Sequence, residues 1–293
     1  MSDESGEVPF RSGSPLTLGA DAAIDLQLHT THSDGDWTPE RLLDHVAAAG
    51  FGLVAITDHD RVDTVVEVQR LGALRGVQVL AAAELSSEWE GQPLDLLCYG
   101  FDPAQPGPLA ALAATTYHAQ IDNFREMYDA LRRRGYRFPA AADILGPGND
   151  SPRRLDDLVA LLERHGYTDG LGDTLRAAGF RWITADPAAV VEAAHRSGAV
   201  CLIGHPGRGG EFVRLDGAQL DRFRAAVPID GLEVEHPSHT PEQVALFREY
   251  ARRHDLLTST GSDSHGPYGQ MPIKYPAAAS RALLERVGIR FTD

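Results

Sequence analysis

The chain has 293 residues, enough for one large α/β domain carrying an insertion or for two small domains. Its 43% apolar and 24% charged residues are ordinary for a globular protein and exclude a collagen-like, coiled-coil or largely disordered chain. With a formal net charge of −15 there is no basic stripe to displace counterions from phosphates, so a long nucleic-acid partner is disfavoured while a mononucleotide-sized ligand is not.

Residues 1–21 are polar, aperiodic and rich in Gly, Ser and Pro, and read as a flexible tail. From Ile24, "AIDLQLH" alternates Ile24, Leu26 and Leu28 against Asp25, Gln27 and His29, the pattern of a strand with one polar face. Thr38 caps a helix "PERLLDHVAAAG" that Gly50 stops. Strands are then predicted at "LVAIT" (53–57), "VQVLAAAE" (77–84) and "LDLLCYG" (94–100). The stretch from about 105 to 185 holds three helical segments and no strand, so it reads as a helical insertion (105–185) between two parts of one domain (22–104 and 186–293). Alternation then resumes. Helices are expected at 187–198, 216–226, 240–254 and 276–287, with strands "AVCLIG" (199–204), "IDGLEVE" (229–235) and "LLTSTG" (256–261) between them. Such alternation implies a parallel sheet, open or closed into a barrel. No run approaches 18 apolar residues, and Cys98 and Cys201 sit in apolar strands, so the chain reads as reduced and cytoplasmic.

The polar residues with metal-binding chemistry fall at strand ends: His29 with Asp34, Asp58 and His59, Glu84, His205, Glu235 with His236, and Asp263 with His265. In a β/α barrel the C-terminal face gathers side chains from many strands at one point. Each residue alone has a plainer reading as a turn or cap, "SDGD" and "TDHD" above all. Six such placements at the same end of successive strands argue for a site. His45, His118, His165, His195 and His254 lie inside helix patterns and read as packing residues. Imidazole and carboxylate without thiolate suit Zn, Mn or Fe in an open catalytic centre. The set exceeds the needs of one ion, and two or three ions bridged by a carboxylate such as Glu84 would clamp both the attacking and leaving oxygens of a phosphate.

The segments "DLQLHTTHSDGDWTPERLLDHVAAAGFGLVAITDHD", "AAAELS", "LCYGFD", "GHPGR", "LEVEHPSH" and "TGSDSHGP", in this order, resemble the polymerase and histidinol phosphatase (PHP) family, in particular its nucleoside 3′,5′-bisphosphate and nucleotide phosphatases. The resemblance implies an α/β fold, a distorted (β/α)7 barrel of PHP type with an inserted helical domain, and two or three divalent metal ions (Mn, Zn, Fe or Mg). By position, His29, Glu84 and Asp263 would hold one ion, Glu84 would bridge to a second held by His205, and Asp34, His59 and His265 would hold the third. Arg208 in "HPGR" would clamp phosphate. Two positions depart from the family pattern. The usual His-x-His reads Gln27-Leu28-His29, making Gln27 a weak or altered ligand, and a usual His is Asp95, a competent carboxylate ligand that favours a harder ion. The insertion reads "SPRRL" where the family often shows a Gly-Arg-Pro-His run, leaving Arg153, Arg154 and Arg125 as candidates for a substrate phosphate, with further specificity expected from loops such as 86–93.

The implied activity is hydrolysis of a phosphomonoester of a small nucleotide-like substrate, such as a nucleoside 3′,5′-bisphosphate or AMP, by a metal-bound hydroxide. His236 or His239 would protonate the leaving alkoxide. Competing readings are a PHP phosphatase for histidinol phosphate, a sugar phosphate or a cyclic phosphate, and a metal-binding or sensing module weakened in catalysis through Gln27. A lysine-bridged amidohydrolase is disfavoured because the only lysine, Lys274, follows the last strand motif. A small phosphorylated substrate is the expected partner, with no long nucleic acid, membrane or obligate protein partner.

Overall fold

A computed structural model describes residues 16–105, 107–145 and 154–292. In chain order the elements are β1 (Thr17–Gly19), β2 (Ala23–Leu28), α1 (Pro39–Ala49), β3 (Leu53–Ile56), α2 (Val65–Ala73), β4 (Gln78–Leu80), β5 (Ala82–Trp89), β6 (Gln92–Tyr99), α3 (Pro108–Arg133), α4 (Ala141–Leu145), α5 (Leu155–Arg164), α6 (Leu171–Ala178), α7 (Pro187–Arg196), β7 (Val200–Ile203), α8 (Gly217–Ala226), β8 (Gly231–Glu235), α9 (Pro241–His254), β9 (Leu257–Thr260), β10 (Tyr275–Pro276), α10 (Arg281–Arg286) and β11 (Arg290–Thr292). They divide into two compact units, one comprising residues up to Ala113 and from Thr184, the other Ala114–Ile183. None of the described helices is long and apolar enough to cross a membrane.

The first unit carries three sheets, β1-β11, β10-β2-β3-β4 and β5-β6-β7-β8-β9. No sheet closes on itself among the described residues, so the expected seven-stranded barrel is not one continuous hydrogen-bonded cylinder. Parallel pairing holds for β2-β3-β4 and β7-β8-β9, but β5-β6 and β6-β7 are antiparallel. The run "VQVLAAAE", which reads as one strand, breaks at Ala81 into β4 and β5, and these belong to different sheets. Residues 86–93, expected as a loop, are a hairpin: Glu90 and Gly91 turn with φ of 51° and 81°, both in the left-handed region that tight two-residue hairpins require. Thr17–Gly19, inside the segment read as a tail, pairs with β11 and buries Leu18.

Apolar alternation explains the packing. Leu26, Leu53, Leu80, Leu97, Tyr99 and Leu202 point into a common core with Leu283 and Leu284 of α10. Each fully buried leucine contributes about 1.5–3 kcal/mol. Helix starts follow the sequence: the Thr38 side chain accepts from Arg41 N, Asp186 from Ala189 N and Thr240 from Gln243 N. The second unit has its own core of Met127, Leu131, Leu158, Leu161, Leu162 and Leu175.

Candidate metal centre

The polar face of β2 and the ends of the other strands converge. Gln27 lies on β2 and His29 directly after it, Asp34 in the next loop, His59 beyond β3, Glu84 on β5, Asp95 on β6, His205 beyond β7, His236 beyond β8, and Asp263 and His265 beyond β9. Glu84 pairs in register with Leu97, and Ser86 with Asp95. The antiparallel hairpin thereby sets both carboxylates on one face, one diagonal step apart.

Among the described residues three donor groups form, each with its ligand atoms within 4.8 Å of one another: His29, Asp34, His59 and His265; His29, Glu84 and Asp263; and His59, Glu84 and Asp95. His29 is the hub of the first two. Its Nε2 lies 3.0 Å from Glu84 Oε2 and 3.2 Å from Asp263 Oδ1, and its ring stacks between those of His59 and His265 at 4.8 and 4.2 Å. His205 Nε2 meets Glu84 Oε1 at 3.1 Å and Asp95 Oδ2 at 3.4 Å. His265 Nε2 meets Asp34 Oδ2 at 3.1 Å. Arg208 extends towards the cluster, with Nη1 3.8 Å from Asp263 Oδ2.

Buried donors in this cluster remain unsatisfied, which is the test of whether a cation fits. Both ring nitrogens of His29, Nδ1 of His59 and Oδ2 of Asp95 have no aligned hydrogen-bond partner, although carboxylate oxygens surround them. Buried polar atoms left so cost about 1–3 kcal/mol each. Imidazole nitrogens gathered within 4.8 Å of carboxylate oxygens suit divalent ions, and the all-nitrogen-and-oxygen donor set fits catalytic rather than structural ions. The protonation pattern agrees. Burial alone would raise Glu84, yet the His59 charge, the hydrogen bond from His205 and the closeness of His29 hold it well below the usual carboxylate range. Burial opposes charge on His29, but Asp263 and Glu84 push its pKa well up. The site pulls cations towards it.

Backbone strain also concentrates here. His205 and Asp263 have φ of 28° and 53°, a region non-glycine residues seldom enter and which clusters at functional sites. Gly261 makes the close approach between β2 and β9 possible, since a Cβ there would lie 2.4 Å from Gln27 Cβ and 2.6 Å from Glu233 Oε1.

Gln27 turns its amide nitrogen to the central carboxylate, donating to Glu84 Oε1 at 3.1 Å and Oε2 at 2.9 Å. In this arrangement it orients Glu84. The two histidines named as proton donors part company. Gly207 N donates to His239 Nε2 at 3.1 Å, and His239 Nδ1 donates to Val234 O at 2.9 Å. Burial pushes its pKa down to about 4. His239 thus has both ring nitrogens engaged by backbone groups. His236 accepts from Ser238 N on Nδ1, so its proton sits on Nε2, 3.5 Å from Asp263 Oδ2. In the second unit Arg125 pairs with Asp122, and Arg154, ahead of α5, with Asp157. Arg153 lies outside the described residues.

Four residues support the site from behind, and three of them, Asp25, Glu233 and Gln243, are not singled out as candidates by the sequence. Asp58 accepts from Thr30 N, Thr30 Oγ1 and Ser33 Oγ at 2.7, 2.7 and 2.8 Å, shaping the loop that carries Asp34. Asp25 accepts from Ser262 N and Ile273 N, tying β2 to the Asp263 loop. Glu233 accepts from His205 N, and Gln243 donates to Gly207 O. Position on the polar face of β2 is the one signal that marks Asp25; the others depend on partners distant in sequence.

No family model matches the chain. Among curated relatives, a 3′,5′-nucleoside bisphosphate phosphatase from Chromobacterium violaceum is 30% identical over 84% of this chain and 88% of its own length. A phosphoribosyl 1,2-cyclic phosphate 1,2-diphosphodiesterase from Eggerthella lenta is 29% identical over 85% and 96%, and a 5′-3′ exoribonuclease from Haemophilus influenzae is 27% identical over 85% and 92%. Two solved structures superpose with TM-scores of 0.73. One, an amidohydrolase from C. violaceum with bound sulfate and no metal, is 26% identical over 90% of this chain and 97% of that one. The other, assigned as a metal-dependent phosphoesterase from Bifidobacterium adolescentis, is 27% identical over 93% and 98%. Likeness of this extent, over a centre built of imidazole and carboxylate donors, makes the chain a member of the PHP family of metal-dependent phosphoesterases, and a hydrolase of phosphoesters.

Proposed function

We propose that the chain removes a phosphate monoester from a small nucleotide-like substrate, such as a nucleoside 3′,5′-bisphosphate or AMP. The observation that carries the reading is the convergence of three overlapping donor groups on His29, His59 and Glu84 with the Arg208 guanidinium beside them. The names of the relatives and the sulfate of the C. violaceum structure, a tetrahedral oxyanion like phosphate, support it. The two larger sheets read as parts of a distorted β/α barrel, because backbone hydrogen bonds join them on both sides: Asp60 N to Glu84 O at 2.8 Å and Asp263 N to Gln27 O at 3.0 Å.

Two or three divalent ions are assigned to the centre. His29, Glu84 and Asp263 would hold one; His59, Glu84 and Asp95, with His205 alongside, a second; Asp34, His59 and His265, with His29, a third. Asp95 in place of a neutral ligand favours a hard ion such as Mn or Mg. Such ions act as Lewis acids towards phosphoryl oxygens and acidify water. The chain supplies the rest. Gln27 fixes the central carboxylate. Arg208 presents a planar guanidinium to phosphate oxygens, a geometry matched to two parallel hydrogen bonds. His236, with its proton on Nε2 facing Asp263, steadies that carboxylate and is the imidazole placed to pass a proton to the leaving oxygen. Lys274 lies over the Phe51 ring, which supports no lysine-bridged chemistry. The free, buried Cys98 and Cys201 support a reducing, cytoplasmic setting.

A second reading, a phosphodiester substrate, is favoured by the cyclic phosphodiesterase and exoribonuclease names among the relatives. The net charge of −15 weighs against a long RNA. Manganese-loaded protein assayed on nucleoside 3′,5′-bisphosphates, AMP, a ribose cyclic phosphate and a short 5′-phosphorylated RNA separates the two. Fastest phosphate release from the small monoesters is expected. Preferential shortening of the RNA would shift the reading to a nuclease, and no release from any substrate would overturn it.

A further inference from the structure

Arg208 does not stand alone at the rim of the centre. Its guanidinium carbon lies 4.2 Å from the centroid of the Phe212 ring, and the same ring meets His205 nearly edge to face at 5.5 Å and 87°. Phe212 thus joins a candidate metal ligand to the candidate phosphate clamp. The segment between them is pinned on all sides. Arg208 N donates to His205 O at 2.9 Å, Leu215 N to Pro206 O at 2.8 Å, and Val213 N to Pro93 O at 3.0 Å. His239 and Gln243 hold Gly207 from α9 and the turn before it, at 3.1 and 2.9 Å. Backbone hydrogen bonds thus anchor the chain on either side of Phe212, at Arg208 and at Val213 and Leu215. Arg208 itself is 39% exposed, and an exposed arginine ordinarily samples many rotamers, whose loss must be met when it grips an anion.

We propose that Phe212 is a positioning residue: its ring holds the Arg208 guanidinium over the metal centre before substrate arrives, so that the phosphate is met by an ordered clamp. The physical basis is the attraction of a cation for an aromatic face, strengthened where water is partly excluded, together with the gain in affinity from ordering a binding group in advance. The contact is made through the guanidinium carbon, 4.2 Å from the ring centroid. The inference rests on the phosphoesterase reading for its substrate. Its mechanical content, that Phe212 acts through Arg208, is tested on inorganic phosphate alone.

The test is the affinity of the manganese-loaded protein for inorganic phosphate, measured by calorimetry for wild type, Phe212→Leu, Phe212→Tyr, Arg208→Ala and the double variant Phe212→Leu/Arg208→Ala. Leucine keeps an apolar side chain without an aromatic face, and bound metal and the melting temperature report whether each variant is intact. Phe212→Leu is expected to weaken phosphate binding roughly three- to thirtyfold, the range a cation–aromatic contact spans, with metal content unchanged. Phe212→Tyr is expected to stay within about twofold of wild type. The double variant should bind no more weakly than Arg208→Ala. Wild-type affinity in Phe212→Leu, or a full additional loss when it is added to Arg208→Ala, would overturn the proposal. If wild type binds phosphate as expected but releases none from any phosphoester, the functional reading fails and the Phe212 assignment is judged on the binding data.

Discussion

Glu84 is fully buried and is approached by Gln27, His29 and His205 at about 3 Å each. A carboxylate so placed is the hinge of the centre. Asp263→Ala and His59→Ala are each expected to abolish turnover and lower bound metal, measured by elemental analysis, while His45→Ala, on α1 beside Trp37, should do neither. Gln27→Leu removes the donor that orients Glu84 and should weaken manganese binding roughly 10- to 100-fold, the usual cost of losing a group that orients a ligand; an unchanged titration would mean Gln27 has no part in the centre. His239 gives a pH prediction. Its pKa falls from about 6.5 in an unfolded chain to about 4, because burial disfavours its charge. The unfolded state therefore takes up the proton first as pH falls, so the contribution is present above pH 6.5 and lost towards pH 4. It is on the order of 3 kcal/mol at most. The ring faces His236 at 5.3 Å and Phe247 at 5.0 Å, and the neighbouring His236 and His205 imidazoles also disfavour its charge. Denaturant unfolding of metal-free protein at pH 7.5 and 5 should show a smaller loss for His239→Gln than for wild type, and equal losses would contradict the assignment. At this scale strand ends pointed to the candidates beyond β2, β3, β7 and β9, whereas Glu84 and Asp95 lie within β5 and β6. The sequence was silent about whether a histidine faces the cluster or the fold: His236 and His239 are three residues apart, yet the first presents Nε2 to Asp263 and the second meets backbone groups on both ring nitrogens.

Elements bring these residues together through two junctions that periodicity does not reveal. One is the β5-β6 hairpin, which aligns Glu84 with Asp95; its turn at Glu90-Gly91 lacks the Asn-Gly or Asp-Gly signature of such turns, so residues 86–93 read as a loop. The other is the contact of β2 with the end of β9 across Gly261. Alternation made β2, β3, β7, β8 and β9 legible to within a residue or two. It did not reveal β1, β10 and β11, which have two or three residues each and exist through pairing with distant partners. Gly261→Ala tests the second junction. The added methyl would have to displace Gln27 or Glu233, and overpacking of this kind costs typically 1–3 kcal/mol. A lower melting temperature with weaker manganese binding is the expected pair of results. Loss of stability with unaltered metal affinity would show that the β2-β9 contact serves the core alone.

The whole molecule joins an acidic surface to a centre that needs cations. A net charge of −15 draws cations to the chain at long range. Family membership was legible because several motifs keep their order and spacing through the first unit, and relatives covering most of this chain bear it out. The helical unit was legible as helices, since its cores follow helical periodicity. The closed barrel was not established by the pattern of alternation, because closure depends on strand pairing that single sequences do not encode. Metal dependence is the property most directly open to measurement. Protein stripped with chelator should release no phosphate from a nucleoside 3′,5′-bisphosphate, and stepwise addition of manganese should restore release in proportion to ions bound, reaching its limit at two or three per chain. Full activity in the stripped protein, or saturation of the centre with manganese and still no release from any phosphoester, would contradict it.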